Sequence, residues 1–410
     1  MMKVLMFGWE FPPFNKGGLG TACHGLAKGL SNNGMQITFV IPRAPEKLKS
    51  EFVDLVSAED CMIEIKKIDS PLSAYMTPEE YQQEILRSDF SPTRKREIYG
   101  KNLFMEVERY AQKAAAIAKD KKHDVIHAHD WMTYKAGIAA KQISGKPFVA
   151  HVHATEFDRT GGNGVNQHVY DIEREGLHAA DQIIAVSQFT KNKIIEHYGI
   201  NPEKINVVHN AVEFNEDSFQ SHNGGMEGEK VVLFLGRITL QKGPDYFLYA
   251  AKKVLEYMDN VTFIIVGSGD MQPFLIEKSA ELGIADKFLF TGFLQGKEVD
   301  RAYRMANLYV MPSVSEPFGI TPLEAMRNNV PVIISKQSGV SEVISHCLKV
   351  DFWDVDEMAS KIVSVLEHQE LHDSLCKNGS SEVRKFNWDT PAKKCVDVYS
   401  RMVNLVCGHA

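Results

Sequence analysis

The stretch "NEDSFQSHNGGMEGEKVVLFLG" (215–236) decides how this chain folds. Residues 215–230 are polar, glycine-rich and without periodicity, the pattern of a linker. The apolar run that follows closes on a glycine, the pattern of a buried strand. A second folding unit therefore starts here. Upstream lie strand-like runs at "KVLMFG" (3–8), "QITFVI" (36–41), "DVIHAH" (124–129), "PFVAHVH" (147–153), "QIIAVS" (182–187) and "INVVH" (205–209). Downstream come "VTFIIVG" (261–267), "KFLFTG" (287–292), "NLYVMPS" (307–313) and "VPVIIS" (330–335). Segments of helical period separate most of them, which is the alternation of parallel α/β sheets. Each half opens with a strand running into glycine, "VLMFGWE" and "VLFLGRI". The expected fold is α/β: two Rossmann-like, doubly wound parallel-sheet domains facing a central cleft.

The expected domains are 1–210, with an insertion at about 44–104, and 211–385, followed by a helix over 386–410. The insertion is charged and interrupted by prolines. The final segment places Val396, Tyr399, Met402 and Val406 at helical spacing, as a stripe for core packing.

At 410 residues, two or three domains are expected. A net charge of −7, without a long Lys/Arg run, gives no sign of a nucleic-acid surface. The six cysteines are scattered with no C-x-x-C pair, which reads as reduced thiols in a cytoplasmic protein. No apolar run reaches the ~20 residues of a membrane span. Peripheral contact through an exposed helix face stays open.

The motif richest in chemistry is "SEPFGITPLEAM" (315–326). Thr321 fits an N-cap, Pro322 the first helical position and Glu324 the third, so Glu324 is explained by a capping box. Glu316 has no such structural explanation. A loop glycine followed by a helix N-terminus suits an anion, and a carboxylate beside it suits hydroxyls. A sugar nucleotide offers both. In "GRITLQKG" (236–243), Arg237 and Lys242 follow the end of a strand, where ligands of open α/β sheets bind, and suit a diphosphate. Either cation alone would read as a surface charge.

The loop "FPPFNKGGLG" (11–20) offers close backbone approach to a phosphate or sugar at Gly17 and Gly18, or simply a tight strand–helix turn. It matches neither the dinucleotide nor the P-loop pattern. The pairs His127/His129 and His151/His153 share faces of neighbouring strands, with Asp130 adjacent. A metal site is conceivable there, but one histidine reaching the cleft, with the others satisfied in the core, is the expectation. The D-x-D in "DVDE" (354–357) is expected to cap a helix through Asp354 and Glu357 rather than to hold metal.

Taken together, "GRITLQKG" and "SEPFGITPLEAM" resemble the retaining glycosyltransferases of family 4, which have the GT-B fold. The first forty residues and "HAHDW" resemble bacterial glycogen and starch synthases as well. The resemblance implies that Arg237 and Lys242 hold the donor diphosphate, and that Glu316 binds hydroxyls of the donor sugar. It implies that Glu324 binds the ribose, and that the backbone of Gly319, Ile320 and Thr321 meets the phosphates. Phe293 would lie at the base, His153 near the reacting centre, and Gly17 and Gly18 beneath the diphosphate. The final helix would cross back to the acceptor-side N-terminal domain. Glycogen synthases of the ADP-glucose type carry K-x-G-G; here Asn15 takes the lysine's place, so that lysine's role is not carried over.

The activity so implied is transfer of a hexose, with glucose the expected one, from UDP-glucose or ADP-glucose to a carbohydrate acceptor. A glycogen-type α-glucan is the specific expectation, with no metal required and no dedicated nucleophile. The alternatives are a sugar-nucleotide 2-epimerase of the same fold and a non-catalytic sugar-nucleotide-binding protein.

Overall fold

Runs such as Lys3–Phe7 and Lys230–Leu235 are apolar almost throughout, so they suit strands covered on both faces. The computed structural model describes residues 1–12, 17–41, 63–67, 103–162, 164–214 and 228–407. Within them the strands form two parallel sheets. The first contains β1 (Lys3–Phe7), β2 (Gln36–Ile41), β3 (Ile63–Lys67), β4 (Val125–His129), β5 (Phe148–Val152), β6 (Gln182–Ala185) and β7 (Ile205–Val207). Its order is β3-β2-β1-β4-β5-β6-β7. The second contains β8 (Lys230–Leu235), β9 (Val261–Val266), β10 (Phe288–Gly292), β11 (Leu308–Met311), β12 (Val332–Ser335) and β13 (Leu348–Val350), in the order β10-β9-β8-β11-β12-β13. Both are doubly wound, and strand order reverses beside β1 in one and β8 in the other. Ligands of such sheets bind at that reversal, beyond the carboxyl ends of the strands.

Two strands depart from the sequence reading. β3 lies inside the supposed insertion and pairs with β2 along its length, Ile37 opposite Ile63. β13, three residues long, was too short to register as an apolar run. The rest of 44–102, Asn15 and Lys16, most of the linker and the Val406 side chain lie outside the described residues.

The chain divides into two compact units. Unit 1 is Met1–Glu156, Val165–Asn210 and Trp388–Ala410; unit 2 is Phe157–Gly164 and Ala211–Asn387. In unit 2 the helices Pro244–Val254 and Val355–Glu367 pack against each other, and Phe247, Phe263, Met358 and Ile362 share one core. Asp354 caps the second helix, its carboxylate accepting the Glu357 N–H at 2.9 Å. Glu357 does not complete the expected box. It pairs with Lys361 one turn on (2.7 Å).

In unit 1 the final helix, Asp389–Cys407, packs against the helix Gly18–Asn32. The buried stripe is Ala392, Cys395, Tyr399 and Met402; Val396, expected in it, is only half-buried. Contact is close because Gly25 and Gly29 stand one turn apart. A Cβ on Gly25 would lie 2.2 Å from the Trp388 ring, and one on Gly29 2.6 Å from the Trp388 carbonyl oxygen. Alanine in a helix is worth about 1 kcal/mol over glycine, but overpacking costs about 1–3 kcal/mol. Gly25→Ala should therefore lower the melting temperature of unit 1. An unchanged or raised melting temperature would show that Trp388 gives way without cost. Among the described residues no helix is long and apolar enough to cross a membrane.

Candidate active site

In unit 2, the loops after β8 and β11 meet at the reversal point. After β8 the chain turns through Leu240–Lys242 into the helix Pro244–Val254. Gly243 takes φ 62°, and a Cβ there would lie 2.2 Å from the Pro312 carbonyl oxygen. The turn is thus pressed against the chain just past β11. Gln241, 3% exposed, fastens the two loops. Its carbonyl accepts the Val314 N–H (2.9 Å), its side-chain nitrogen donates to the Ser315 carbonyl (3.1 Å), and its side-chain oxygen accepts Arg237 Nη2 (2.9 Å).

This arrangement delivers Lys242 to Glu316, and the two form an ion pair. Ser313 donates to the same Glu316 oxygen at 3.2 Å. Glu316 is 6% exposed. Its backbone also bridges the loop after β12: its N–H donates to Gln337 O (3.0 Å) and its carbonyl accepts the Gly339 N–H (2.9 Å). The sequence reading left Glu316 without a structural role. The fold supplies one, because a neighbouring loop distant in sequence holds its backbone.

The expected capping box at Thr321–Glu324 does not form. The helix runs Thr321–Arg327 with Ile320 at the N-cap and no side-chain cap. Thr321 instead shares a hydrogen bond with the Tyr309 hydroxyl (2.7 Å), and the Glu324 carboxylate accepts the Tyr303 hydroxyl (3.0 Å). Two buried tyrosines thus compete successfully for the two groups a box would have paired. Burial pushes the Glu324 carboxyl up; Arg327 and the Tyr303 hydroxyl pull it back down. Gly319 takes φ 97°, and a Cβ there would press on Glu316 Cγ at 3.1 Å, so glycine is needed where the loop turns under the carboxylate. Ile320 is half-buried, and Phe293, just past β10, is 49% exposed.

Sequence reasoning missed Gln241, Ser315 and Asp158. Ser315 donates to the fully buried Asp158 carboxylate at 2.6 Å. Asp158 lies in Phe157–Gly164, the short stretch that belongs to unit 2 although its neighbours in sequence belong to unit 1. No local signal marks such a partner 157 residues away.

Unit 1 holds His153, Gly17 and Gly18. Gly17 is extended (φ −168°), and a Cβ on Gly17 or Gly18 would meet no atom within 4 Å. Among the described residues, neither the Gly17 backbone angle nor packing around Gly17 and Gly18 asks for glycine there.

The four histidines form one buried cluster. His127 bonds Tyr399 (2.5 Å) and His151 (3.1 Å), and His129 bonds His153 (2.9 Å). The expectation that all but one are satisfied in the core is corrected: Nε2 of His129 and of His151 is buried without a hydrogen-bond partner among the described residues. His153 is 7% exposed and the other three 1% or less. Burial, opposed by Asp130, lowers the His153 imidazole. Asp130 holds φ 59°, a conformation that side-chain-bearing residues adopt only when held there. Its Oδ1 accepts the N–H groups of His153 (2.7 Å) and Ala154 (3.3 Å). Asp130 therefore positions the His153 backbone rather than offering a metal ligand.

Residues 215–382 match the family described as Glycosyl transferases group 1, and residues 16–216 match Glycosyltransferase Family 4. An uncharacterized glycosyltransferase of Methanocaldococcus jannaschii is 31% identical over 97% of this chain and 98% of its own length. A glycogen synthase of Mycobacterium tuberculosis is 25% identical over 97% of this chain and 94% of its own. Among solved structures, the Anabaena protein HepE in complex with UDP and glucose superposes with a TM-score of 0.70 at 18% identity, covering 98% of this chain and all of that one.

Proposed function

Because this chain belongs to the family 4 glycosyltransferases, with the GT-B fold, we propose that it is a retaining hexosyltransferase using a nucleoside diphosphate sugar, with glucose the sugar and a glycogen-type α-glucan the acceptor. One observation carries the reading. Lys242, after β8, pairs with Glu316, after β11, at the reversal point of one sheet, and Arg237 and Glu324 lie on the same two connections. In this reading Arg237 and Lys242 hold the diphosphate and stabilise the leaving charge. Glu316 takes hydroxyls of the sugar, and Glu324 those of the ribose. The backbone of Gly319, Ile320 and Thr321 faces the phosphates, Phe293 the base, and Gly17 and Gly18 the far side of the diphosphate. His153 stands near the reacting carbon.

The Lys242–Glu316 pair is then the resting arrangement. An arriving diphosphate competes for the ammonium, and the released carboxylate turns to the sugar. The names of the relatives support the chemistry: one is a glycogen synthase, and the HepE structure holds UDP and glucose. A cytoplasmic location belongs to the same reading.

Fixed cations offset the diphosphate charge, so no metal is needed for transfer. The first experiment is a thermal-shift screen of UDP-, ADP- and GDP-sugars, followed by transfer assays on glucans with the best donor. Product of retained anomeric configuration, formed at an undiminished rate in EDTA, is the expected result. Loss of activity in EDTA, restored by manganese or magnesium, would refute the metal-free scheme. Inverted product would refute retention.

A further inference from the structure

We propose that Cys23, His129 and His153 form a binding site for a soft divalent transition-metal ion such as Zn²⁺, and that its occupancy withdraws His153 from the transfer reaction. The inhibitory half rests on the reading that His153 serves that reaction; the metal site does not. One ligand atom of each residue lies within 4.8 Å of the other two. All three residues are buried, and among the described residues His129 Nε2 has no hydrogen-bond partner. A buried polar atom left unpaired costs free energy and calls for a partner.

Charge favours this triple over its neighbour. Burial first, then the carboxylates of Asp130 and Glu10, raise the Cys23 thiol, and Asp130 opposes the burial that lowers His153, so both carboxylates act on this triple. A divalent ion would sit beside a thiolate and near two carboxylates, so its charge is offset inside a poorly solvated site. The second triple, His127, His129 and His151, supplies three neutral rings and no anion among its ligands. A cation there would be buried without compensation. Thiolate and imidazole ligands select Zn²⁺ or Co²⁺ over Mg²⁺ or Ca²⁺. Three protein ligands leave a fourth position for water.

The binding step balances simply. The Cys23 S–H bond breaks, a sulfur–metal bond forms, and one proton leaves to the buffer. The hydrogen bond between His129 Nδ1 and His153 Nε2, 2.9 Å long, opens as the His153 lone pair turns to the metal. No electrons are transferred. An imidazole held this way can no longer serve a reacting group.

The test uses the full chain, stripped with chelator and titrated with Co²⁺. The expected spectrum combines the visible bands of four-coordinate cobalt with a near-ultraviolet thiolate-to-cobalt band. Zn²⁺ should displace both. In Cys23→Ala the thiolate band should vanish, and affinity should fall by at least the roughly 10–100-fold that a lost supporting contact costs. The same variant should transfer sugar normally without metal and resist inhibition by Zn²⁺, which should stop the wild type. Cys23→Ser gives the same readouts if the alanine variant is unstable. Cobalt bands without a thiolate band, kept in Cys23→Ala, would move the ion to the all-histidine triple and overturn the proposal. So would equal Zn²⁺ inhibition of both proteins. A thiolate band with undiminished transfer would uphold the metal site and count against His153 in the reaction.

Discussion

Arg237→Ala should turn over saturating donor roughly 10²–10³-fold more slowly than wild type, the loss expected if the proposed role of Arg237 as a stabiliser of transition-state charge holds. Glu316→Gln should slow turnover as well, but with a second signature. Its carboxylate is buried, pairs with Lys242 and accepts from Ser313. The amide keeps the shape and loses the charge, leaving a half-buried ammonium without its anion. Breaking a fully buried pair costs about 3–5 kcal/mol. The Lys242 side chain is 21% exposed, so solvent screens part of that, and about 1–2 kcal/mol is the expected destabilisation.

Donor binding should respond in opposite directions. Glu316→Gln leaves Lys242 no internal competitor, so nucleoside diphosphate should bind as well as or better than to wild type while turnover falls. Arg237→Ala should weaken both binding and turnover. Melting temperature, nucleoside diphosphate affinity and turnover at saturating donor, measured side by side, separate these effects. A Glu316→Gln enzyme with wild-type turnover would remove Glu316 from the reaction and leave it a purely structural residue.

The second large effect is on stability in mild acid. Burial, then neighbouring histidines, lowers the imidazoles of His129 and His151 well below the ordinary value, and lowers His127 to about 3. The sign follows from proton counts. As pH falls through about 6.5, these three groups take up protons in the unfolded chain but not in the folded one. The unfolded state then binds more protons, so stability is intact above about pH 6.5 and is lost as pH falls below it. All three groups act in the same direction, each binding a proton in the unfolded chain at about pH 5 that it does not bind in the folded one. Whole domains are stable by only about 5–15 kcal/mol.

The buried histidines among the described residues all belong to unit 1. Calorimetry from pH 7.5 to 5 should therefore show the unit 1 transition falling steeply while that of unit 2 moves less. A unit 1 transition that stays level over this range would mean that the cluster is hydrated or rearranged.

Periodicity made the frame of this protein legible. The runs that became β1, β8, β9 and β12 are apolar because both faces of a parallel sheet are covered, and a glycine-rich polar stretch between two such series marks a restart. Arg237, Lys242 and Glu316 stood out as candidate site residues for a related reason. They follow strand ends, and in open α/β sheets those ends are where ligands bind. What local pattern could not supply was the competition among partners. The spacing of Thr321 and Glu324 is that of a capping box, yet Tyr309 and Tyr303 take both groups, because the fold brings β11 and the helix Lys297–Met305 within reach.

The sequence by itself determined the two parallel sheets, their restart near residue 230 and the kinds of side chain at the strand ends, since each depends on residues near one another along the chain. Only the tertiary structure decided that Glu316 is held by Lys242, Ser313 and the loop after β12, that Asp158 anchors Ser315, and that Cys23 joins the histidines of β4 and the end of β5. Those contacts link residues far apart along the chain, and a side chain meets whatever group packing brings to it. No spacing in the sequence encodes that choice.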